Sequence, residues 1–453
     1  MKVPSFFKHL ANIAAGPADP GHPYILSGYT YEAVYAMAGD LQHRHFSADN
    51  PETVCLCATD RAVVAAALLA ALTRPVTLVI PYSFSAEVLD RTHQAHGFSK
   101  AIADGSIELP AGVEAILPDP KTAGKGVLTR AGMRDPDSVF VKLFTGGSTR
   151  APRTWSKTIG NLLGEAIYHA QKLAATPEDR FAATVPAYHI YGLLFSVLTP
   201  LVAGASIIDG ELTYPREIQK AVSRDRASIL VSIPLHYKML AGTEFTAEGL
   251  RYALSSAARL EAADSRYFYR QTGLGITEVF GSTETGGIAT RLCTHDQPHF
   301  TPFDCIEWKI ADGLLAIRSD FISPELPVDA AGFFVTSDRV KAVGPNCFEL
   351  AGRADRIVKV GGKRVDLEEV SSAIAGMPSV TDAAVICAEN ESTRGNEILA
   401  LVAASISSNE IRRHLRHRIP DYAVPRRIRI VDQIPVTPAG KYDSTEIRKL
   451  LNQ

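Results

Sequence analysis

Leu143-Phe-Thr-Gly-Gly-Ser-Thr-Arg-Ala-Pro-Arg153 follows an apolar run from Ser138 to Phe144. A buried strand is therefore expected to end in a turn that packs together Thr145, Gly146, Gly147, Ser148 and Thr149. Glycines let a backbone come close to a phosphate, and hydroxyl and amide groups supply the donors. Arg150 and Arg153 add positive charge. The GxxxxGK[ST] spacing of a P-loop is absent. A Gly/Ser/Thr turn also occurs as an ordinary surface loop, so the rest of the chain must choose between the two.

Outward from that turn, residues 30–285 alternate strand-like and helical runs. Val54 to Cys57 precedes an Ala/Leu-rich helix at 61–72, and Thr77 to Pro81 precedes a helix beginning at Ala86. Residues 138–144 precede a helix from about Thr158 to Leu173, and further strand-like runs stand at 205–210, 227–233 and 275–280. This pattern predicts α/β layers on buried strands. Between about 300 and 350 the segments shorten into a small β unit. Beyond Gly352 a hairpin, a helix at 367–377, two strands and a second helix capped by Ser408 read as a small α+β domain. The expected organisation is a large N-terminal part, 1–351, and a C-terminal domain, 352–453. Residues 352–453 hold 16 Lys/Arg against 13 Asp/Glu, a net of +3, which leaves −5 for the remainder.

With 453 residues, 46% hydrophobic and 21% charged, the chain can bury large cores, and disordered, collagen-like and disulfide-scaffold classes drop out. A net charge of −2 exerts no overall pull toward nucleic acid or an anionic membrane. Cysteines at 55, 57, 293, 305, 347 and 387 repeat no spacing, so a reducing, cytoplasmic setting is expected. The N-terminus lacks the apolar core of a signal peptide. The longest apolar run, Gly192 to Ile208, is too short to span a membrane and reads as a buried helix followed by a strand.

Four more motifs carry chemistry. In Val279-Phe-Gly-Ser-Thr-Glu-Thr-Gly-Gly287 a strand ends at Phe280 and presents Thr283 and Glu284 where α/β proteins gather ligands. A carboxylate beside hydroxyls suits Mg²⁺, which prefers oxygen ligands. Asp338, closing Gly332-Phe-Phe-Val-Thr-Ser-Asp338, offers a carboxylate to both hydroxyls of a ribose. The others are Gly352-Arg-Ala-Asp-Arg-Ile-Val-Lys-Val-Gly-Gly-Lys-Arg-Val365 and Pro435-Val-Thr-Pro-Ala-Gly-Lys441. Cys293, His295 and His299 have metal-like chemistry but no fourth ligand, and read as loop residues. Seven arginines between Arg412 and Arg429, opposed only by Asp421, are either a solvated face or a docking patch for an acidic protein or for phosphates.

In order and spacing these motifs resemble the adenylate-forming superfamily of acyl- and aryl-CoA synthetases, luciferases and nonribosomal adenylation domains. The resemblance runs from YTYEAVYAMAGDL at 29–41 to Lys441. It implies ATP and Mg²⁺, with CoA or a carrier-protein phosphopantetheine as thiol co-substrate. By the same resemblance Thr145 to Thr149 and Arg153 hold phosphate, Phe280 stacks near the adenine, Gly281 and Ser282 bind the nucleotide, and Ser256, Ala257 and Ala258 line the adenine and acyl site. Thr283 contacts phosphate, Glu284 is the Mg²⁺ ligand, and Asp338 and Arg353 bind ribose. Asp355 is the hinge of a mobile C-terminal domain, and Gly361, Gly362, Lys363 and Arg364 line the thiol channel. Lys441 bridges carboxylate and α-phosphate. His189, in Pro186-Ala-Tyr-His-Ile-Tyr-Gly192, gates an acyl pocket shared with Tyr191, Ser232 and Pro234. The chain departs from the family at Arg150, where glycine is usual, at Arg153, where lysine is usual, and at Ser337, where glycine is usual. The expected function is ATP-dependent ligation of an aromatic acid to a thiol. Ligation to a carrier protein without CoA, and an inactive nucleotide-binding regulator, are the alternatives.

Overall fold

The strand-like runs pair into parallel sheets because almost every side chain along them is buried, on both faces. The computed structural model describes residues 3–119, 133–145, 153–241, 243–294, 299–360, 363–390, 395–438 and 440–452. Gly146, Gly147, Ser148, Thr149, Arg150, Gly361, Gly362 and His295 lie outside the described residues. The chain forms two compact units. The first holds Met1–Gly146, Ala151–Glu307 and Arg318–Gly332, and the second holds Trp308–Ile317 and Phe333–Gln453.

In the first unit, β1 (Glu52–Cys57), β2 (Val76–Ile80), β3 (Lys100–Ala103), β4 (Glu114–Ile116), β5 (Val139–Thr145) and β6 (Arg153–Thr158) form a six-stranded sheet of order β4-β3-β1-β2-β5-β6. All its pairings are parallel except β5–β6. A second run of strands comprises β7 (Arg180–Ala183), β8 (Ser206–Ile207), β9 (Ile229–Ser232), β10 (Tyr252–Ser255), β11 (Ile276–Ser282), β12 (Gly286–Cys293) and β13 (His299–Pro302). They neighbour in the order β13-β12-β11-β10-β9-β7-β8, parallel from β8 to β11 and antiparallel beyond. The helix Arg61–Ala71 is buried at every residue, its alanines permitting close approach on all sides, and Asp60 caps it by accepting from the Ala62 amide. Cys55 and Cys57 sit in a core cluster with Leu89 and Phe98, so they pack rather than react. The helix Ile159–Lys172 begins directly after β6, held by a capping box between Thr158 and Asn161.

The second unit contains β14 (Glu307–Ala311), β15 (Leu314–Arg318), β16 (Phe334–Ala342) and β17 (Phe348–Arg353), neighbours in that order. A hairpin of β18 (Ile357–Val360) and β19 (Lys363–Asp366) follows. Then come β20 (Val380–Asn390), β21 (Gly395–Ala404) and β22 (Arg427–Val431) in one three-stranded sheet. The expected boundary at 351/352 falls inside this unit, within β17. Ser407, not Ser408, caps the helix Ser408–Arg416: its hydroxyl accepts from the Glu410 amide, and the Glu410 carboxylate reaches back. The arginine run divides in two. Arg427 and Arg429 donate to the carbonyls of Leu451 and Leu450, capping the helix Ser444–Asn452, whereas Arg412, Arg416 and Arg426 line a groove of about 470 Å³ with Asp421. The chain's two tryptophans fall one to each unit: Trp155 lies on β6, and the Trp308 ring lies 5.5 Å from that of Phe348, tilted by 55°. Among the described residues no helix is long and apolar enough to cross a membrane.

Candidate active site

Thr145 and Arg153 face each other at the ends of β5 and β6, where the Thr145 hydroxyl donates to the Arg153 carbonyl at 3.4 Å. Arg153 is exposed, and the Gly/Ser/Thr segment lies between the two. Farther along β6, the fully buried Lys157 donates from Nζ to the carbonyls of Phe321 at 2.8 Å and Glu284 at 3.2 Å. Burial lowers its pKa to about 8, opposed by the carboxylates of Glu165, Glu284 and Glu325.

The turn after β11 is built from its own hydroxyls. Ser282 and Thr285 share a 2.9 Å hydrogen bond, and each receives the other's backbone amide. Thr283 is buried and Glu284 half-buried at its apex. The flanking glycines are required: a Cβ on Gly281 would lie 2.3 Å from the Gly286 carbonyl, and Gly286 has φ +68°. Glu165 accepts from the Gly287 amide at 2.7 Å. Phe280 lies on β11, which runs two residues beyond it through a bulge, and its ring is 5.4 Å from Phe300. The Ser256 hydroxyl donates to the Val279 carbonyl at 2.8 Å, tying the 256–258 segment to this strand, and Ala257 holds φ +75°.

Another group gathers at the carboxyl ends of β7 and β9. The Ser232 hydroxyl is 3.0 Å from that of Thr184, which in turn lies 2.8 Å from Nδ1 of His236. Burial lowers the His236 pKa to about 4, so the ring is neutral. Pro234 opens the helix Pro234–Leu240. Tyr191 is buried, which pushes its phenol far above the ordinary range, with a small opposing effect from the Ser232 backbone. His189 stands at the N-cap of the turn Ile190–Leu193, its ring 4.7 Å from Tyr188, which lies 5.0 Å from Phe84.

In the second unit Asp338 and Arg353 are cross-strand partners, joined from Nη1 to Oδ1 at 3.1 Å. Arg353 also grips Asp355 through Nε and Nη2, at 2.9 and 2.7 Å, and this lowers the Asp355 pKa. These three residues thus form one array. Lys441 is exposed on a turn closed by the Thr437 amide, which donates to the Lys441 carbonyl at 2.7 Å. Arg364, opposite Lys359 in the β18–β19 hairpin, is exposed, and Lys363 lies 4.5 Å from the centre of the Tyr422 ring.

Among the described residues no group of three or more His, Cys, Asp or Glu side chains is placed to hold a metal ion. One carboxylate with hydroxyl neighbours, as at Glu284 and Thr283, fits Mg²⁺, which keeps its waters and takes phosphate oxygens from the substrate. Lys157, Glu165, Thr184 and His236 were not singled out from sequence.

The AMP-binding enzyme family matches residues 27–316, and the AMP-binding enzyme C-terminal domain matches residues 369–441. The chain belongs to the AMP-binding enzyme family. It is an AMP-forming acid–thiol ligase by class. Among its relatives is a sulfoacetate–CoA ligase of Cupriavidus necator, 25% identical over 70% of this chain and 67% of that one. A 4-coumarate–CoA ligase of Rhodobacter capsulatus is 28% identical over 66% of this chain and 73% of the relative. The o-succinylbenzoate coenzyme A synthetase of Bacillus subtilis, solved with ATP and a magnesium ion, shares the fold with a TM-score of 0.80 at 19% identity, over 98% of this chain and 99% of that one.

Proposed function

We propose that this family member activates an aromatic carboxylic acid with ATP and passes the acyl group to the thiol of CoA or of a carrier-protein phosphopantetheine. A substrate carboxylate oxygen attacks the α-phosphorus, and the bond to the bridging β-phosphate oxygen breaks, giving acyl-AMP and pyrophosphate. A thiol then attacks the acyl carbon, AMP departs and the thiol proton is released. The observation that carries this reading is the Ser282–Thr285 turn, whose hydroxyl clasp holds Glu284 at the end of a parallel strand.

In this reading Thr145, Gly146, Gly147, Ser148, Thr149 and Arg153 grip the phosphates. Phe280, Gly281, Ser282 and the 256–258 segment border the adenine, and Asp338 with Arg353 holds the ribose. Lys441 offsets negative charge at the reacting centre. Glu284 with Thr283 would hold Mg²⁺, whose charge neutralises phosphate oxygens. The rings of Tyr188, His189 and Tyr191, with the Ser232–Thr184–His236 hydrogen bonds, support a compact pocket for an aryl acid. The names of the coumarate and succinylbenzoate relatives support the same class. The arginine groove supports an anionic thiol carrier.

Pyrophosphate release, measured with Mg·ATP against aryl and alkyl acids, tests the proposal. Aryl-dependent release that falls by about a hundredfold or more in Lys441→Ala is expected. Turnover of palmitate with no aryl-acid activity would overturn the substrate class, and ATP binding without release from any acid would overturn the ligase reading.

A further inference from the structure

We propose that Lys157 is a positioning residue that fixes the Glu284 turn to the strand leaving the phosphate segment, so that nucleotide phosphates and magnesium ligand keep one register. This rests on the ligase reading above. Among the described residues, Lys157 is the only lysine in the set of largest fully buried side chains, a costly location for an ammonium group unless its donors are used. Two of them are, on the carbonyls of Glu284 and Phe321. The Glu284 carbonyl accepts a second hydrogen bond, from the Ser323 amide at 2.7 Å. The backbone that carries the carboxylate is therefore clamped from two sides while its side chain stays outside the clamp.

The neighbours reinforce this link. The Ser156 amide donates to the Glu325 carboxylate at 3.1 Å, anchoring the adjacent residue of β6. Glu165, on the helix that follows β6, receives the Gly287 amide from the far end of the turn. A Cβ on Gly286 would lie 2.6 Å from a Glu165 oxygen, so the turn is seated against that carboxylate. Lys157 thus makes the Glu284 position depend on β6, and β6 begins at Arg153.

The test is Mg·ATP binding by calorimetry, without acid, on wild type, Lys157→Met and Lys157→Gln. Methionine keeps the stem and removes every donor, whereas glutamine keeps one polar donor group. Affinity is expected to fall about tenfold or more in Lys157→Met and less in Lys157→Gln, with the Mg²⁺ concentration for half-maximal pyrophosphate release rising in step. The KM for the acid should stay unchanged. Wild-type affinity and Mg²⁺ dependence in a folded Lys157→Met protein would overturn the proposal. If Lys157→Met does not fold, wild-type values in Lys157→Gln and in a Lys157→Arg protein of native circular dichroism do the same. Because binding is read without acid, a wild type that binds Mg·ATP but releases no pyrophosphate would sink the ligase reading and leave this comparison standing.

Discussion

His236 shows how one buried ring ties pH to stability. Its pKa is about 4 in the folded chain against an ordinary 6.5, because burial disfavours the charged form. Between those values the unfolded chain binds a proton that the folded chain refuses. Stability is therefore full above pH 6.5 and falls as the pH drops toward 4, by up to about 3 kcal/mol from this group. Urea unfolding of wild type and His236→Gln at pH 7.5 and 4.5 should show a smaller loss in the variant. Glu284→Gln should raise the Mg²⁺ concentration needed for half-maximal pyrophosphate release by about tenfold. Glu284 was legible in sequence because Ser, Thr and Gly crowd around it after a strand. His236 and Lys157 were not, since their partners, Thr184 and Phe321, are 52 and 164 positions away.

Local elements depend on single close approaches. A Cβ on Gly192 would lie 2.0 Å from the Pro186 carbonyl oxygen, so Gly192→Ala must open the turn that displays His189 and Tyr191. A loss above about 2 kcal/mol in thermal or urea unfolding is expected, with weakened acid binding in whatever folds. Ser407→Ala removes the hydroxyl that caps Ser408–Arg416 and should cost about 1 kcal/mol, measurable by the same unfolding. The sequence placed this helix but put the cap one residue late, because two adjacent serines offer equal chemistry and only the Glu410 reach distinguishes them. Long periodic runs, such as 61–72, were read within a residue or two. The three-residue β4 was not, having too few positions for a period to show, and the run read at 205–210 narrows to the two residues of β8.

At the scale of the whole chain, the proposed mechanism has two half-reactions. On that mechanism, with Asp355 as the hinge, Asp355→Pro should lower thioester formation by about tenfold or more and acid-dependent pyrophosphate release by less, because the stiffened φ hinders the second step while loss of the carboxylate only loosens Arg353. Arg412→Glu with Arg416→Glu should raise the KM for the thiol acceptor and leave adenylation unchanged, and added salt should mimic it in wild type. Lys441, on an exposed turn, was identified in sequence by its place after the Arg353 motif rather than by its surroundings. The extent of the second unit was less legible, because β14 and β15 precede in sequence a stretch that belongs to the first. The two tryptophans turn that arrangement into an optical instrument. Trp308→Phe leaves a single emitter on β6, four residues before the helix and two beyond Arg153, so its fluorescence should respond to nucleotide alone. Trp155→Phe leaves the emitter beside Phe348, and its signal should follow the second unit through thiol addition. The same molecule, recorded twice, would time the two steps against each other with no attached dye.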